Sequence, residues 1–419
     1  MDSRSAPDTP DAPTRGERML ALRRARMAAA PPFLRGGFRP FFQLGAAWAV
    51  IALTLWMAAL AGHMALPTAF DALAWHRHEM LFGFVGAIIA GFLLTAIPNW
   101  TGRLPIAGLP LAALAGLWAA ARLAMLASQL TGAVLVAVLD VGFFVVLAGL
   151  AAREVVAAKN RNVPVVAIVL LIGVADALDH AGAAGMLADA DLGVRAAIAL
   201  IIMMISLIGG RIIPSFTRNW LVKQGIKDAL PGQPNRFDMA VLATTACALL
   251  GWAITPEWLS IGWLLVVAGG AQLIRLTRWG GLRASRDPLV AILHVGYAWV
   301  PIGLCLLGAS VIESSWQRSA AIHALTAGAM GTMVLAVMTR AILGHTGREL
   351  AAGRSTIALY FLVTLGAAAR VAAGLGAVGY WIGIDVALVA WAGAFLLFVA
   401  VYGPILFKPR KDEKRMPRE

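Results

Sequence analysis

The sequence predicts an all-α polytopic membrane protein of about twelve transmembrane helices in three tandem four-helix repeats. Three observations predict it: the apolar composition, the alternation of basic breaks, and internal similarity. Of 419 residues, 60% are hydrophobic and only 14% charged, more apolar side chain than a soluble core of this size buries, so lipid must act as solvent. A helix crosses a hydrocarbon core of about 30 Å with roughly 20 mostly apolar residues. Such stretches follow one another from Pro40 to Phe407 with brief polar breaks, leaving no room for a soluble domain.

In chain order, the first 35 residues are rich in Pro, Ala, Asp and Arg and lack an apolar core. They read as a disordered cytoplasmic tail and not as a cleavable signal peptide. Residues 36–407 form a single membrane domain with spans near 40–62, 80–97, 109–127, 132–152, 164–185, 194–213, 237–255, 258–276, 288–311, 321–343, 355–375 and 381–406; residues 408–419 form a basic cytoplasmic tail. Basic residues mark alternate breaks: Arg103; Arg153, Lys159 and Arg161; Arg218, Lys223, Lys227 and Arg236; Arg278, Arg283 and Arg286; Arg348 and Arg354. The positive-inside rule puts these breaks and both termini in the cytoplasm of a bacterial inner (plasma) membrane protein, and the alternation closes only with an even number of spans. The net charge of +13 is thus topogenic and gives no basic face for nucleic acid. Cys247 and Cys305 both lie in apolar runs, which indicates neither a disulfide framework nor a thiolate metal site.

The internal similarity is threefold. His78-Glu-Met-Leu-Phe-Gly83 reaches Thr101-Gly-Arg103 at the same interval that takes His323-Ala-Leu-Thr-Ala-Gly328 to Thr346-Gly-Arg348. Thr95–Thr101, Arg211–Thr217 and Arg340–Thr346 align without gaps at the ends of spans 2, 6 and 10. Pro40, Pro164 and Pro288 open spans 1, 5 and 9 at equal intervals, and Ala119–Arg122 recurs as Ala367–Arg370. The simplest account is three units near 36–155, 160–279 and 284–407, inserted the same way round, with any symmetry axis along the membrane normal. The glycines Gly83, Gly86, Gly209, Gly210, Gly328 and Gly331 suit close helix packing in lipid.

Ionisable groups inside a bilayer are expensive, so each invites a functional reading. His76, His78 and Glu79 begin span 2 on the outer side, where span 10 carries His323. If spans 2 and 10 are neighbours, these form an outer metal site, since imidazoles with a carboxylate suit copper, iron or zinc; the plainer alternative is interfacial hydrogen bonding. His345 ends span 10 on the inner side, separated from His323 by about 33 Å of helix, so the two cannot share one metal. His294 lies about two turns into span 9. An inner, cofactor-binding site is therefore expected from His294 and His345 with Arg211, Arg340 and Arg348, a cationic setting for haem propionates or a small anion. Topogenic anchoring is the other account of those arginines.

Asp176, Asp179 and His180 share a helix face near the outer end of span 5, available to the outer site or simply water-facing. Arg122 and Arg370 should pair with acids, with Asp140 and Asp385 at similar repeat positions. The methionines Met203, Met204, Met330, Met333 and Met338 are soft ligands or ordinary packing. No phosphate loop, nucleophile elbow or zinc-protease motif is present, so hydrolytic chemistry has no visible apparatus.

Phe38-Arg-Pro-Phe-Phe42, Trp75-His-Arg-His-Glu-Met80, Pro98-Asn-Trp-Thr-Gly102, Gly209-Gly-Arg-Ile-Ile-Pro214, His294-Val-Gly-Tyr-Ala-Trp299 and Val337-Met-Thr-Arg340 with the following Ala341–Arg348 together resemble the signature of NnrS proteins. The similarity covers nearly the whole chain outside its tails. It implies a haem- and copper-containing membrane protein linked to nitric oxide and resistance to nitrosative stress, found in denitrifying and other bacteria. The family's histidine motifs fall on His76, His78, His294, His323 and His345, and the resemblance does not settle whether the activity is catalytic. The expected partners are membrane lipid, nitric oxide or a related small molecule, and an electron donor. Rival readings are a transporter of a metal, haem or small anion, for which Arg122, Arg370, Asp140 and Asp385 would line a path, and a haem-holding sensor or assembly factor without turnover.

Overall fold

The computed structural model describes residues 28–411 and, before them, Arg18, Ala21, Leu22 and Ala25. Most of the expected N-terminal tail, and residues 412–419 of the basic tail, lie outside the described residues.

Among the described residues twelve helices are long and apolar enough to cross a membrane: α1 Phe38–Leu60, α2 Ala72–Thr101, α3 Leu109–Leu126, α4 Ala133–Ala157, α5 Val163–Ala183, α6 Leu192–Lys223, α7 Arg236–Ile254, α8 Leu259–Thr277, α9 Pro288–Ile312, α10 Arg318–His345, α11 Arg354–Gly374 and α12 Tyr380–Leu406. The chain is a multi-pass membrane protein. Helices are what lipid dictates, because each backbone N–H and C=O must then find its partner within the segment. Local chemistry sets the ends. Proline opens α5 and α9, where its missing N–H costs nothing. Asp71 caps α2 by accepting from Leu73 and Ala74 N–H, and Asn235 with Asp238 forms a capping box on α7. Gly102 ends α2 in the left-handed region at φ 68°.

Three helices exceed the rest in place or length. α2, α6 and α10 run 30, 32 and 28 residues, and 78%, 56% and 67% of their apolar windows are buried, against 33–39% for α4, α7, α8 and α12. At 1.5 Å per residue each exceeds the ~30 Å hydrocarbon thickness by ten Å or more. They surround an axial cavity of about 90 Å³. Its walls form four layers: Val85, Ile201 and Met330; Ile88, Met204 and Met333; Ile89, Ile205 and Val334; Phe92, Ile208 and Val337. Within every layer the three residues are separated by the same intervals as Thr95, Arg211 and Arg340. α2 and α10 also each contain one π-helical stretch, Glu79–Val85 and Ala324–Met330, again at that interval.

The outer helices pack in sequence around these three, α4 on α5 and α8 on α9, and α12 returns to α1. Arg39, buried at the start of α1, fastens that closure by donating to the Leu406 and Lys408 carbonyls at 2.7 and 2.8 Å. The start of α1 and the end of α12 therefore lie at one end of the bundle, the terminal end. His78 lies toward the other, the far end.

Candidate metal centre

Four carboxylates converge at the far end around one histidine. α2 begins early enough that His78 and Glu79 sit inside the helix, both fully buried. Within the π-helical stretch that starts at Glu79, the Gly83 carbonyl accepts both from the Gly86 N–H and from Trp118 Nε1, the latter at 2.9 Å. His78 Nε2 lies 2.7 Å from Asp140 Oδ2 of α4, and its Nδ1 lies 2.8 Å from Asp179 Oδ2 of α5. His180, one turn beyond Asp176 on α5, comes to 3.6 Å from Asp140 and 3.7 Å from Asp176. One ligand atom from each of His78, Asp140, Asp176 and His180 falls within 4.8 Å of the others, and all four residues are buried.

One cation balances part of this charge. Arg122 of α3 donates to Glu79 Oε2 at 2.7 Å and to Asp140 Oδ1, and Trp48 Nε1 of α1 donates to the same Glu79 oxygen at 2.6 Å. Four carboxylates face one guanidinium. Both Asp176 oxygens, His180 Nε2 and Glu79 Oε1 are buried without a hydrogen-bond partner. Unsatisfied buried acceptors are costly, and a divalent cation coordinated by two imidazoles and two carboxylates would satisfy His180 Nε2 and an Asp176 oxygen at once. Gly83 makes the packing possible: a Cβ there would come within 2.8 Å of Arg122 Nη1 and 3.0 Å of Trp48 Nε1, and closer still to Glu79 Oε2.

The histidines expected to share an outer site divide between two places. Side chains two positions apart on a helix do not face each other, and His76 accordingly leaves the opposite side of α2 from His78. The His76 ring stacks on Trp56 of α1 at 3.9 Å, and its titratable neighbours are His323, Arg370 and Arg77. His323 Nδ1 donates to the Ser319 carbonyl at 2.7 Å. Arg122 meets Asp140 as its repeat position anticipates, whereas Arg370 donates to Ser319 Oγ at 2.8 Å and Asp385 is exposed.

At the terminal end the five expected cofactor residues have different partners. His294 Nε2 and Thr217 Oγ1 are 2.9 Å apart. His345 packs beside Phe38, with ring centroids 5.6 Å apart, and borders a cavity of about 110 Å³ with Thr95 and Asn99. Arg211 donates to Asn162 Oδ1 at 2.9 Å, Arg340 lies 3.9 Å from the Phe216 ring centroid, and Arg348 keeps a buried Nη1 without a partner. Met204, Met330 and Met333 line the axial cavity, while Met338 is packed in the core.

Asp140 was legible only as an ion partner of Arg122, and nothing in the sequence tied Trp48 to Glu79. The i,i+4 pair Asp176 and His180 carried the one local signal of ligation. The family model described as NnrS protein matches residues 32–410. No curated protein matches the chain.

Proposed function

The chain belongs to the NnrS family, which matches nearly its whole length, and from that premise we propose a haem- and copper-dependent bacterial inner-membrane protein that binds or turns over nitric oxide, or shields cellular metal centres from it. The coarser part, a nitric-oxide-linked membrane protein with a buried His/Asp group able to hold a metal ion, is what the family and the geometry already support. Copper is assigned to His78, Asp140, Asp176 and His180. The observation that carries this is the set of orphaned buried acceptors there. A mixed imidazole and carboxylate donor set suits divalent copper better than the soft, thioether-seeking monovalent ion. Bound there, copper would supply a one-electron redox centre and an open coordination position. The protein supplies the rest. Asp179 fixes the His78 ring through Nδ1, and Arg122 with Trp48 holds Glu79 and Asp140 in place.

Haem fits less well. The cavity beside His345, about 110 Å³, falls short of the roughly 300–1,000 Å³ of pockets that enclose cofactor-sized ligands. Haem is therefore supported by the family alone, and no step is derived through it.

Two features of architecture belong to the same proposal. The layered cavity wall and the matched π-helical stretches support three tandem four-helix units around an axis. The arginines and lysines of the breaks at the terminal end support a cytoplasmic placement of both termini, which puts the metal centre near the periplasmic side. The axial cavity is walled by apolar side chains and a glycine, a poor path for an ion, which weighs against the transporter reading.

The test is metal analysis and electron paramagnetic resonance of purified protein from copper- and haem-replete cells. Asp176→Asn and His180→Ala should each abolish a divalent copper signal that the parent shows and that nitric oxide alters. Well-folded parent protein lacking both copper and haem would overturn the proposal.

A further inference from the structure

A second place in the bundle corresponds to the metal centre and carries the opposite charge. The interval from Pro40 to Pro164 maps Ala52, Leu55 and Trp56 of α1 onto Asp176, Asp179 and His180 of α5. The interval from His78 to His323 maps Glu79 onto Ala324, and Asp140 onto the exposed Asp385. The basic residue is retained, because Arg370 ends the repeated Ala-Ala-Ala-Arg of Arg122, at an interval three residues longer than that from His78 to His323. Three of the four acids of the metal centre are thus replaced by apolar residues and the fourth faces outward. At the remaining equivalent interface Val194, Val300 and Leu304 take the places of His78, Asp176 and His180, while Arg195 takes the place of Glu79 and is already paired with Asp189.

The residues of the second place confirm the imbalance. Arg370 spends one N–H on Ser319 Oγ, and its Nη1 is buried without a partner. Across the interface His76 Nδ1 is also buried without a partner, on a ring held by its stack against Trp56. Arg77 is already committed to Asp191 at 3.0 Å. A guanidinium in a membrane-spanning segment with no carboxylate at hand is costly, and in the metal centre the same guanidinium is neutralised by Glu79 and Asp140.

We infer that a small monovalent anion, a halide or an oxoanion the size of nitrite, binds at the interface of α1, α2, α10 and α11, between Arg370 Nη1 and His76 Nδ1. The anion takes the place that Glu79 fills in the metal centre. This inference stands apart from the copper assignment and does not need it.

The experiment uses the full chain purified in detergent and exchanged into gluconate. Chloride and sodium nitrite are titrated separately while thermal unfolding and tryptophan fluorescence are followed. A saturable rise in Tm is expected with at least one anion, and the one that half-saturates at lower concentration identifies the ligand. Arg370→Gln should abolish the response, and Arg286→Gln, at the terminal end, should retain it. Ala324→Glu supplies the missing carboxylate, so in gluconate it should already unfold near the temperature of the anion-saturated parent and should no longer respond. A parent with no saturable response, or an Ala324→Glu variant that still responds like the parent, overturns the inference even if Arg370→Gln fails to fold.

Discussion

Arg122 and Arg370 hold corresponding positions in α3 and α11, yet Arg122 bridges two buried carboxylates while Arg370 ends on the Ser319 hydroxyl. One helical scaffold therefore presents a net negative cluster at one interface and a positive one at another. The difference rests on a few substitutions of acid by apolar residue.

Arg122 is the only arginine or lysine bonded to the metal-centre carboxylates among the described residues. Arg122→Met should leave Glu79 buried without a counter-charge and Asp140 with His78 alone, at a cost of about 3–5 kcal/mol. Adding Glu79→Gln should recover part of that loss, since a neutral amide tolerates burial better than an unpaired carboxylate. Unfolding in mixed micelles with increasing SDS measures both variants, and a double variant no more stable than the single one would contradict the pairing.

His78 and His323 should behave as separate classes. His78 contacts Asp140 and Asp179, whereas His323 meets Ser319 and faces Arg370. His78→Ala is expected to lose at least tenfold in metal affinity, and His323→Ala to keep the parent's metal content at unchanged yield. Equal loss from both would return the two histidines to one centre.

The span count, the order of helices and their boundaries to within a few residues were legible because lipid leaves the backbone one solution and apolar runs mark it directly. α2 and α6 were the exceptions: a span read from 80–97 becomes a helix from Ala72, because His76, Arg77, His78 and Glu79 lower its hydropathy while burial in protein tolerates them, and a span read to 213 continues to Lys223 past Pro214 and Arg218. Residues lining the axial cavity from α2, α6 and α10 recur at the intervals by which Thr95, Arg211 and Arg340 are spaced. The grouping of site residues was not legible. A His-x-His pair reads as one cluster in sequence, but its side chains leave a helix on different sides. Sequence spacing also cannot show that α5 brings Asp176, Asp179 and His180 against α2, a contact between helices far apart in the chain.

Gly83 is required by the polar cluster itself. A methyl group there would sit under 3 Å from Glu79 and Arg122, so Gly83→Ala must shift the groups that hold the metal ligands, and overpacking of this kind typically costs ~1–3 kcal/mol. Gly116, with open space where its Cβ would stand, is the control; Gly116→Ala in α3 should be neutral or slightly stabilising. The variants are compared by thermal unfolding and by metal content, and a Gly83→Ala protein with parental values of both would show the cluster to be looser than its contacts indicate.

Orientation is open to a labelling test. Ala188 lies in the α5–α6 connection at the far end and Ser285 in the α8–α9 connection at the terminal end, and both are exposed. In a background with Cys247 and Cys305 replaced by alanine, Ala188→Cys should react with an impermeant maleimide on intact spheroplasts. Ser285→Cys should react only after the membrane is opened. The reverse pattern would place the metal centre near the cytoplasm.

The axial cavity sets the last expectation. Its volume of about 90 Å³ lies against Ile205 on α6, so the slightly larger ring of Ile205→Phe can enter empty space without moving a helix. Filling a cavity with apolar atoms commonly adds about 0.5–2 kcal/mol. Ala197, two turns earlier on the same helix, is wholly buried and does not line the cavity, and Ala197→Phe should instead destabilise by ~1–3 kcal/mol or more, as overpacking does. The contrast in Tm between the two substitutions isolates the cavity from the general tolerance of α6. If Ile205→Phe unfolds as early as Ala197→Phe, then α2, α6 and α10 pack against one another more closely than the cavity requires.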